Sequence, residues 1–275
     1  MNLLGLLSAV GAATCWGTFF VPVRKVRVVD IWQLQGATGI GVILFAIPVG
    51  FLWGFQILPS GLLSGAIWTA GNILALYSVR LIGLSRTSPF LAGFSVLVSF
   101  LWGILYFNEK FNYIFLAIIA VGLLLGGLVF ISNTSKNQPV QKKGYLIAVA
   151  SGLVGGSYVI PLQAAHSLQA GFFSSSLSIF AIGIPLLLFS RKFAKKEMIA
   201  GTLSGCLFNV GSLAVLIAVG LIGITVAYPI SQTATLFAIS WGVLYFREII
   251  HRQGIFRIIT GAVLILCGAA LITIA

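Results

Sequence analysis

Charge is what this chain has least of. Only 7% of its 275 residues are Asp, Glu, Lys or Arg, and just four are acidic, whereas about a quarter of a soluble domain is charged. That shortage, set against 59% hydrophobic residues, excludes an ordinary water-soluble fold. The four acids, Asp30, Glu109, Glu197 and Glu248, all fall at the ends of apolar runs or between them. Proton relays and cation sites inside membranes are built on a costly mid-span carboxylate, and none is present. Cysteine is scarce as well: Cys15, Cys206 and Cys267 are odd in number and lie in apolar runs. They read as small hydrophobes rather than a disulfide framework. The two histidines, His166 and His251, lie near the ends of apolar segments and form no H-E-x-x-H pattern. With no intramembrane pair of aspartates either, metal-dependent and aspartyl hydrolysis inside a membrane lack their residues. The expectation is a protein that is not an enzyme and needs no metal and no cofactor.

What is present is a succession of long apolar runs. Ten spans are predicted, at about 3–23, 33–54, 59–79, 88–107, 111–132, 144–165, 170–190, 198–219, 224–246 and 253–274. Each is near the roughly 20 residues an α-helix needs to cross about 30 Å of hydrocarbon. The first span lacks the basic start and small-residue cleavage site of a signal peptide and reads as a retained helix. The predicted fold class is therefore an all-α polytopic membrane protein with ten transmembrane helices.

The sixteen cations are sorted by this topology. Fifteen fall in the loops after odd-numbered spans: Arg24, Lys25, Arg27, Arg80, Arg86, Lys136, Lys142, Lys143, Arg191, Lys192, Lys195, Lys196, Arg247, Arg252 and Arg257; Lys110 alone falls on the other face. Positive charge is retained on the cytoplasmic side. An integral protein of the plasma membrane is expected, with both termini extracytoplasmic. The net charge of +12 then meets anionic lipid headgroups, and no nucleic-acid partner is implied.

The chain is also one pattern written twice. An offset of 140 aligns Gly61 with Gly201, Ser64 with Ser204, Gly65 with Gly205, Gly71 with Gly211, Leu81–Ile82 with Leu221–Ile222, Gly83 with Gly223 and Pro89 with Pro229. An offset of 139 places WGTFFVP (16–22) on GGSYVIP (155–161) and WGILYFNE (102–109) on WGVLYFRE (241–248). Residues 1–135 read as a first five-helix repeat, 136–143 as a polar cytoplasmic linker and 144–275 as a second repeat. Five is odd, so the second repeat enters the membrane inverted, a 5+5 arrangement typical of secondary transporters with substrate between the halves. Equivalent residues then fall at opposite faces. Pro22 and Pro89 lie toward one side, Pro161 and Pro229 toward the other. Proline interrupts helix hydrogen bonding, so these four are candidate gate positions. Glu109 and Glu248 end the two WGxLYFxE segments, where the helix dipole disfavours a carboxylate; they are candidate gate latches, and the only acids available for coupling.

Candidate substrate contacts are the neutral amides and aromatics of the spans: Trp16, Gln35, Trp68, Asn72, Tyr158, Asn209, Tyr228 and Gln232. Trp68 and Asn72 are four apart and share a helix face; Asn209 lies one repeat on from Thr69. Amides hydrogen-bond hydroxyls and aromatic rings cover the apolar face of a sugar, so this set suits a neutral polyhydroxylated ligand. The same residues could instead tie helices together.

With its 5+5 pattern and paired WGxLYFxE endings, the sequence resembles the drug/metabolite transporter superfamily, the EamA-like fold. WGTFFVPVRK (16–25), Gln35-Gly36 and SGAIWTAGNILALYSVRLIGLSRTSPF (64–90) are similar to its glucose/ribose uptake and rhamnose branch. The resemblance covers essentially the whole chain. It implies a central cavity between spans 1–4 and 6–9, peripheral spans 5 and 10, and branch-pattern matches at Trp16, Gln35, Trp68 and Asn72. The expected function is transport of a small neutral polar metabolite, a monosaccharide foremost, by alternating access through a central cavity between the two repeats. An exporter of amino acids or related metabolites on the same fold is the alternative, and a non-transporting membrane scaffold or sensor a more distant one.

Overall fold

The computed structural model describes residues 2–26, 30–106, 114–132, 141–158, 160–164, 170–190, 193–222, 227, 230–231, 233–249 and 252–272. Among them are twelve α-helices and no strand. In chain order these are α1 (Leu3–Thr18), α2 (Val21–Lys25), α3 (Ile31–Trp53), α4 (Pro59–Ile82), α5 (Leu84–Leu105), α6 (Ile114–Ser132), α7 (Lys142–Gly156), α8 (Ile160–Ala164), α9 (Gly171–Leu186), α10 (Lys195–Ile222), α11 (Ala234–Ser240) and α12 (Arg252–Ile272). A wider π turn continues α11 through Trp241–Tyr245. Because α2 continues α1 and α8 continues α7 across short breaks, the twelve helices form ten rods, the number predicted. Six stretches are long and apolar enough to cross a bilayer: Leu3–Lys25, Ile31–Trp53, Pro59–Ile82, Lys142–Leu162, Gly171–Phe189 and Lys195–Ile222. Shorter apolar helices lie at Phe115–Ile131 and Ala234–Tyr245.

Local chemistry sets the helix ends. The Asn2 side chain accepts from the N–H groups of Leu4 and Gly5, and Asp30 from those of Trp32 and Gln33, each satisfying orphan donors of a first turn. Pro59 opens α4, where its missing N–H costs nothing. One boundary differs from expectation: α5 begins at Leu84, so Pro89 lies inside that helix rather than at its start. The first turn of α5 is held from outside by a carboxylate described below, which accounts for the earlier start.

Helix α1 packs on α10 and α11; α3 on α9 and α10; α4 on α7 and α9; and α5 on α7 and α11. Helices α6 and α12 form a pair joined to the rest mainly through α5. Their crossing is made at Gly127 and Gly261, where a methyl group on either would meet the other's carbonyl oxygen. Gly122 and Gly126 have the small-xxx-small spacing by which membrane helices pack, yet nothing lies within 4 Å of either position. Packing has moved one residue along, to Gly127.

Hydrogen bonds tie the cation-bearing segments to one end of the bundle. Ser190 donates to Asp30 Oδ2 at 2.9 Å, and Gln33 exchanges two bonds with the backbone of Ala194. Ser78 donates to the Gly144 carbonyl, and Arg24 reaches Glu248. The segments bearing Arg24, Arg80, Lys142, Lys195 and Arg247 therefore share one end.

Candidate functional site

A cavity of about 190 Å³ lies within the bundle, lined from α1, α4, α5, α7, α10 and α11 and by both helix breaks. The first break falls at Phe19 and Phe20 and the second at Ser157 and Tyr158, each shortly before the proline of the short helix that follows, Pro22 in α2 and Pro161 in α8. The cavity wall is mostly aromatic: Trp16, Phe19, Phe20, Trp68, Tyr158 and Phe208. Trp68 and Phe208 overlap with ring centroids 4.1 Å apart and planes inclined by 33°. Trp16 spends its indole N–H on the Phe208 carbonyl at 3.2 Å, which locks its ring face in place. Among the described residues the indole N–H of Trp68 has no partner, so it remains a donor for a ligand.

Polar lining comes from Asn72, Ser88, Ser95, Ser151 and Thr235. Ser95 and Ser151 donate to the carbonyls of Gly152 and Gly71, so their hydroxyls already bridge helices. Asn72 donates through Nδ2 to Gln35 Oε1 at 2.6 Å. Gln35 itself is fully buried on α3, outside the lining, with its own Nε2 unpartnered. Its carbonyl oxygen holds the Asn72 carboxamide from outside the lining. No Asp, Glu, Lys, Arg or His lines the cavity among the described residues.

The floor of the cavity, at the cation-rich end, is a packed apolar cluster of Phe20, Val23, Leu76, Val79, Leu84 and Ala238. Beneath it Glu248 joins three segments. Its Oε1 accepts from Arg24 Nε at 2.9 Å and from the Leu84 N–H at 2.8 Å. Its Oε2 accepts from the Ser85 N–H at 2.8 Å and the Ser85 hydroxyl at 2.6 Å. The dipole argument against a carboxylate ending its own helix is thus answered by another helix: Glu248 caps the positive N-terminus of α5. Gly83 makes this possible. It turns the chain from α4 into α5 at φ +85°, a conformation that favours glycine, and a side chain there would strike the Glu248 carboxyl group. Arg24 also lies 5.9 Å from the centre of the Phe246 ring.

Of the residues singled out in the sequence, Trp16, Trp68, Asn72 and Tyr158 meet in the cavity wall. Gln35 stands one layer back. Asn209 lies elsewhere: its Nδ2 donates to the Val42 carbonyl at 2.9 Å and to Ser176 Oγ at 3.1 Å, tying α10 to α3 and α9. With both amide protons spent, it is a helix tie rather than a cavity donor. Tyr228, Gln232, Pro229 and Glu109 fall outside the described residues. Phe19, Phe20 and Phe208 carry no polar signal that singles them out in an apolar chain. Arg24 and Ser85 were not singled out as site residues either; each lies two residues after a helix-interrupting residue, Pro22 and Gly83.

The family model described as sugar transport protein matches residues 6–275. A protein of Bacillus anthracis named for sugar uptake is 28% identical over 282 residues, covering 98% of each chain. The glucose uptake protein GlcU of Bacillus subtilis is 25% identical over 287 residues, covering 99% of each. A protein of Staphylococcus epidermidis named for ribose uptake, RbsU, is 28% identical over 294 residues, again with 98% of each covered. A crystal structure that is 14% identical superposes with a TM-score of 0.62 over 98% of this chain and 96% of that one, a likeness of fold.

Proposed function

The chain belongs to the sugar transport protein family, and from that premise we propose that it carries a monosaccharide across the plasma membrane by alternating access through the cavity. The observation that carries this reading is the lining. Aromatic faces, a carboxamide and hydroxyls surround a space with no ionisable counter-charge but the phenol of Tyr158. A sugar pairs its apolar ring face with indole and phenyl planes and its hydroxyls with amide and hydroxyl groups. An amino-acid zwitterion would bring two charges that the lining side chains do not neutralise, so the exporter alternative is weaker. The relatives named for sugar, glucose and ribose uptake support the same class.

Alternation is supported by the way the packing repeats itself. Exchanging residues 1–135 with 144–275 turns α1 on α10 into α7 on α4, α3 on α10 into α9 on α4, and α5 on α7 into α11 on α1. The correspondence extends to atoms. Gly5 abuts Leu221 and Ile222, while Gly144 abuts Leu81 and Ile82. Gly17 abuts Ala234 and Phe237, while Gly156 abuts Ser95 and Val98. Trp241 donates to Thr18 Oγ1 at 3.1 Å and Trp102 to Ser157 Oγ at 3.0 Å. An inverted repeat built this way gives two related gates, with broken helices beside the site. In this reading Pro22 and Pro161 mark the breaks, and Glu248 with its repeat mate Glu109 latches opposite gates.

The test is binding to purified protein, read as thermal stabilisation by a monosaccharide panel. Asn72→Ala and Trp68→Ala are each expected to weaken binding by about 1 kcal/mol or more, the net worth of one hydrogen bond, while leaving a monodisperse protein. Unchanged affinity in both variants would move the substrate elsewhere.

A further inference from the structure

One asymmetry breaks the correspondence between the halves. Ser204 on α10 is buried, and its hydroxyl donates to the carbonyl of Phe19, at the α1–α2 break. Its repeat mate is Ser64 on α4, fully buried, and the Ser64 hydroxyl has no hydrogen-bond partner. The mate of Phe19 is Tyr158, at the α7–α8 break, and α4 packs on α8 as α10 packs on α2. The bonded serine belongs to the break at the latched end, beside the apolar floor and Glu248. The unbonded one belongs to the break toward the opposite end.

A buried hydroxyl without a partner costs free energy, so its presence at this one position calls for a state in which it is satisfied. We propose that Ser64 and Ser204 are the two halves of a hydrogen-bond exchange between transport states. In the state described here Ser204 holds the Phe19 carbonyl and the latched end is shut. In the alternate state Ser64 donates to the Tyr158 carbonyl and Ser204 lets Phe19 go, so each state keeps one break pinned and one loosened. The exchange makes the two end states close in energy, because one bond is lost for each bond made. That near balance is what lets a ligand of modest affinity shift the population. The inference rests on the alternating-access reading and adds the groups that toggle.

The test uses a protein with Cys15, Cys206 and Cys267 replaced by alanine and a single cysteine introduced by Ala75→Cys. Ala75 lines the cavity and belongs to the apolar floor. A membrane-impermeant thiol reagent is applied to sealed vesicles of each orientation. Ser204→Ala is expected to raise labelling from the latched face about fivefold, the equilibrium worth of one net hydrogen bond. Ser64→Ala is expected to lower it by a similar factor, and Ser204→Thr to restore the parental level. Melting temperature gives a second readout: Ser204→Ala should lower it, whereas Ser64→Ala removes no bond and should not. If labelling occurs from both faces but both alanine variants leave it unchanged, or move it in the same direction, the exchange is wrong and alternation stands. If no background is ever labelled from the latched face, alternation itself fails and the exchange with it. Labelling needs no sugar, so neither outcome depends on the identity of the substrate.

Discussion

A carboxylate at the end of its own helix is a poor arrangement until its neighbours are counted. Glu248 accepts four hydrogen bonds, two from the first backbone N–H groups of α5 and one from Arg24. Its side chain is 7% exposed and that of Arg24 26%. Removing one member of a well-buried pair strands the other charge, which costs about 3–5 kcal/mol, and an uncapped helix start costs a further 0.5–2 kcal/mol or so. Partial exposure of Arg24 pulls the sum down, because water can take over some of its hydration. Glu248→Ala is therefore expected to destabilise the protein by about 2–4 kcal/mol, and Glu248→Gln, which keeps an acceptor for α5, by about half that. Melting curves of purified variants check the order; a Glu248→Ala protein as stable as the parent would mean the carboxylate holds nothing together.

At the scale of elements, contact between rods is made where side chains are missing. A methyl at Gly17 would meet the backbone of Ala234 and the side chain of Phe237, and one at Gly156 the backbone of Ser95 and the side chain of Val98. Leucine at either position must push two rods apart, with an overpacking cost of about 1–3 kcal/mol or more. Gly17→Leu and Gly156→Leu are expected to give little monodisperse protein on size exclusion, and Gly122→Leu, with nothing within 4 Å, to behave as the parent. Equal yields for all three would refute the close approach. These rods were legible in the sequence because a span of about 20 apolar residues has few folded alternatives in lipid. Of the four prolines read as candidate gates, Pro22 and Pro161 do lie just after helix breaks, whereas Pro89 sits inside an unbroken helix. Two things were not legible. Small-residue spacing marks a helix face able to pack without saying which face is used, so Gly122 and Gly126 looked as good as Gly127. An amide signals a polar interior without saying whether its partner is a ligand or a helix, which is why Asn72 and Asn209, alike in sequence, have different surroundings. The aromatic wall at Phe19, Phe20 and Phe208 is invisible for a simpler reason: phenylalanine in an apolar run carries no contrast.

For the whole molecule, the decisive quantity is where the cations go. The contacts of Arg24 with Glu248, Ser190 with Asp30, Gln33 with Ala194 and Ser78 with Gly144 draw five cation-bearing segments to one end. By sequence that end carries fifteen of the sixteen Lys and Arg residues. Near an anionic leaflet each such residue is worth about 1 kcal/mol, so the reversed orientation would forfeit far more than any single loop could return. The same asymmetry is the retention signal that fixes topology during insertion. The orientation expected from this asymmetry places the latched end, with Arg24, Glu248 and the apolar floor, toward the cytoplasm and both termini outside. On the proposed alternating-access reading, that orientation makes the end closed by Glu248 and the apolar floor the cytoplasmic one. A C-terminal alkaline phosphatase fusion is expected to be active and a C-terminal fluorescent-protein fusion dark, since the first folds only outside the cytoplasm and the second within it. The opposite pair of results would invert the assignment, leaving the gate geometry intact but making the latched end the one that faces the medium.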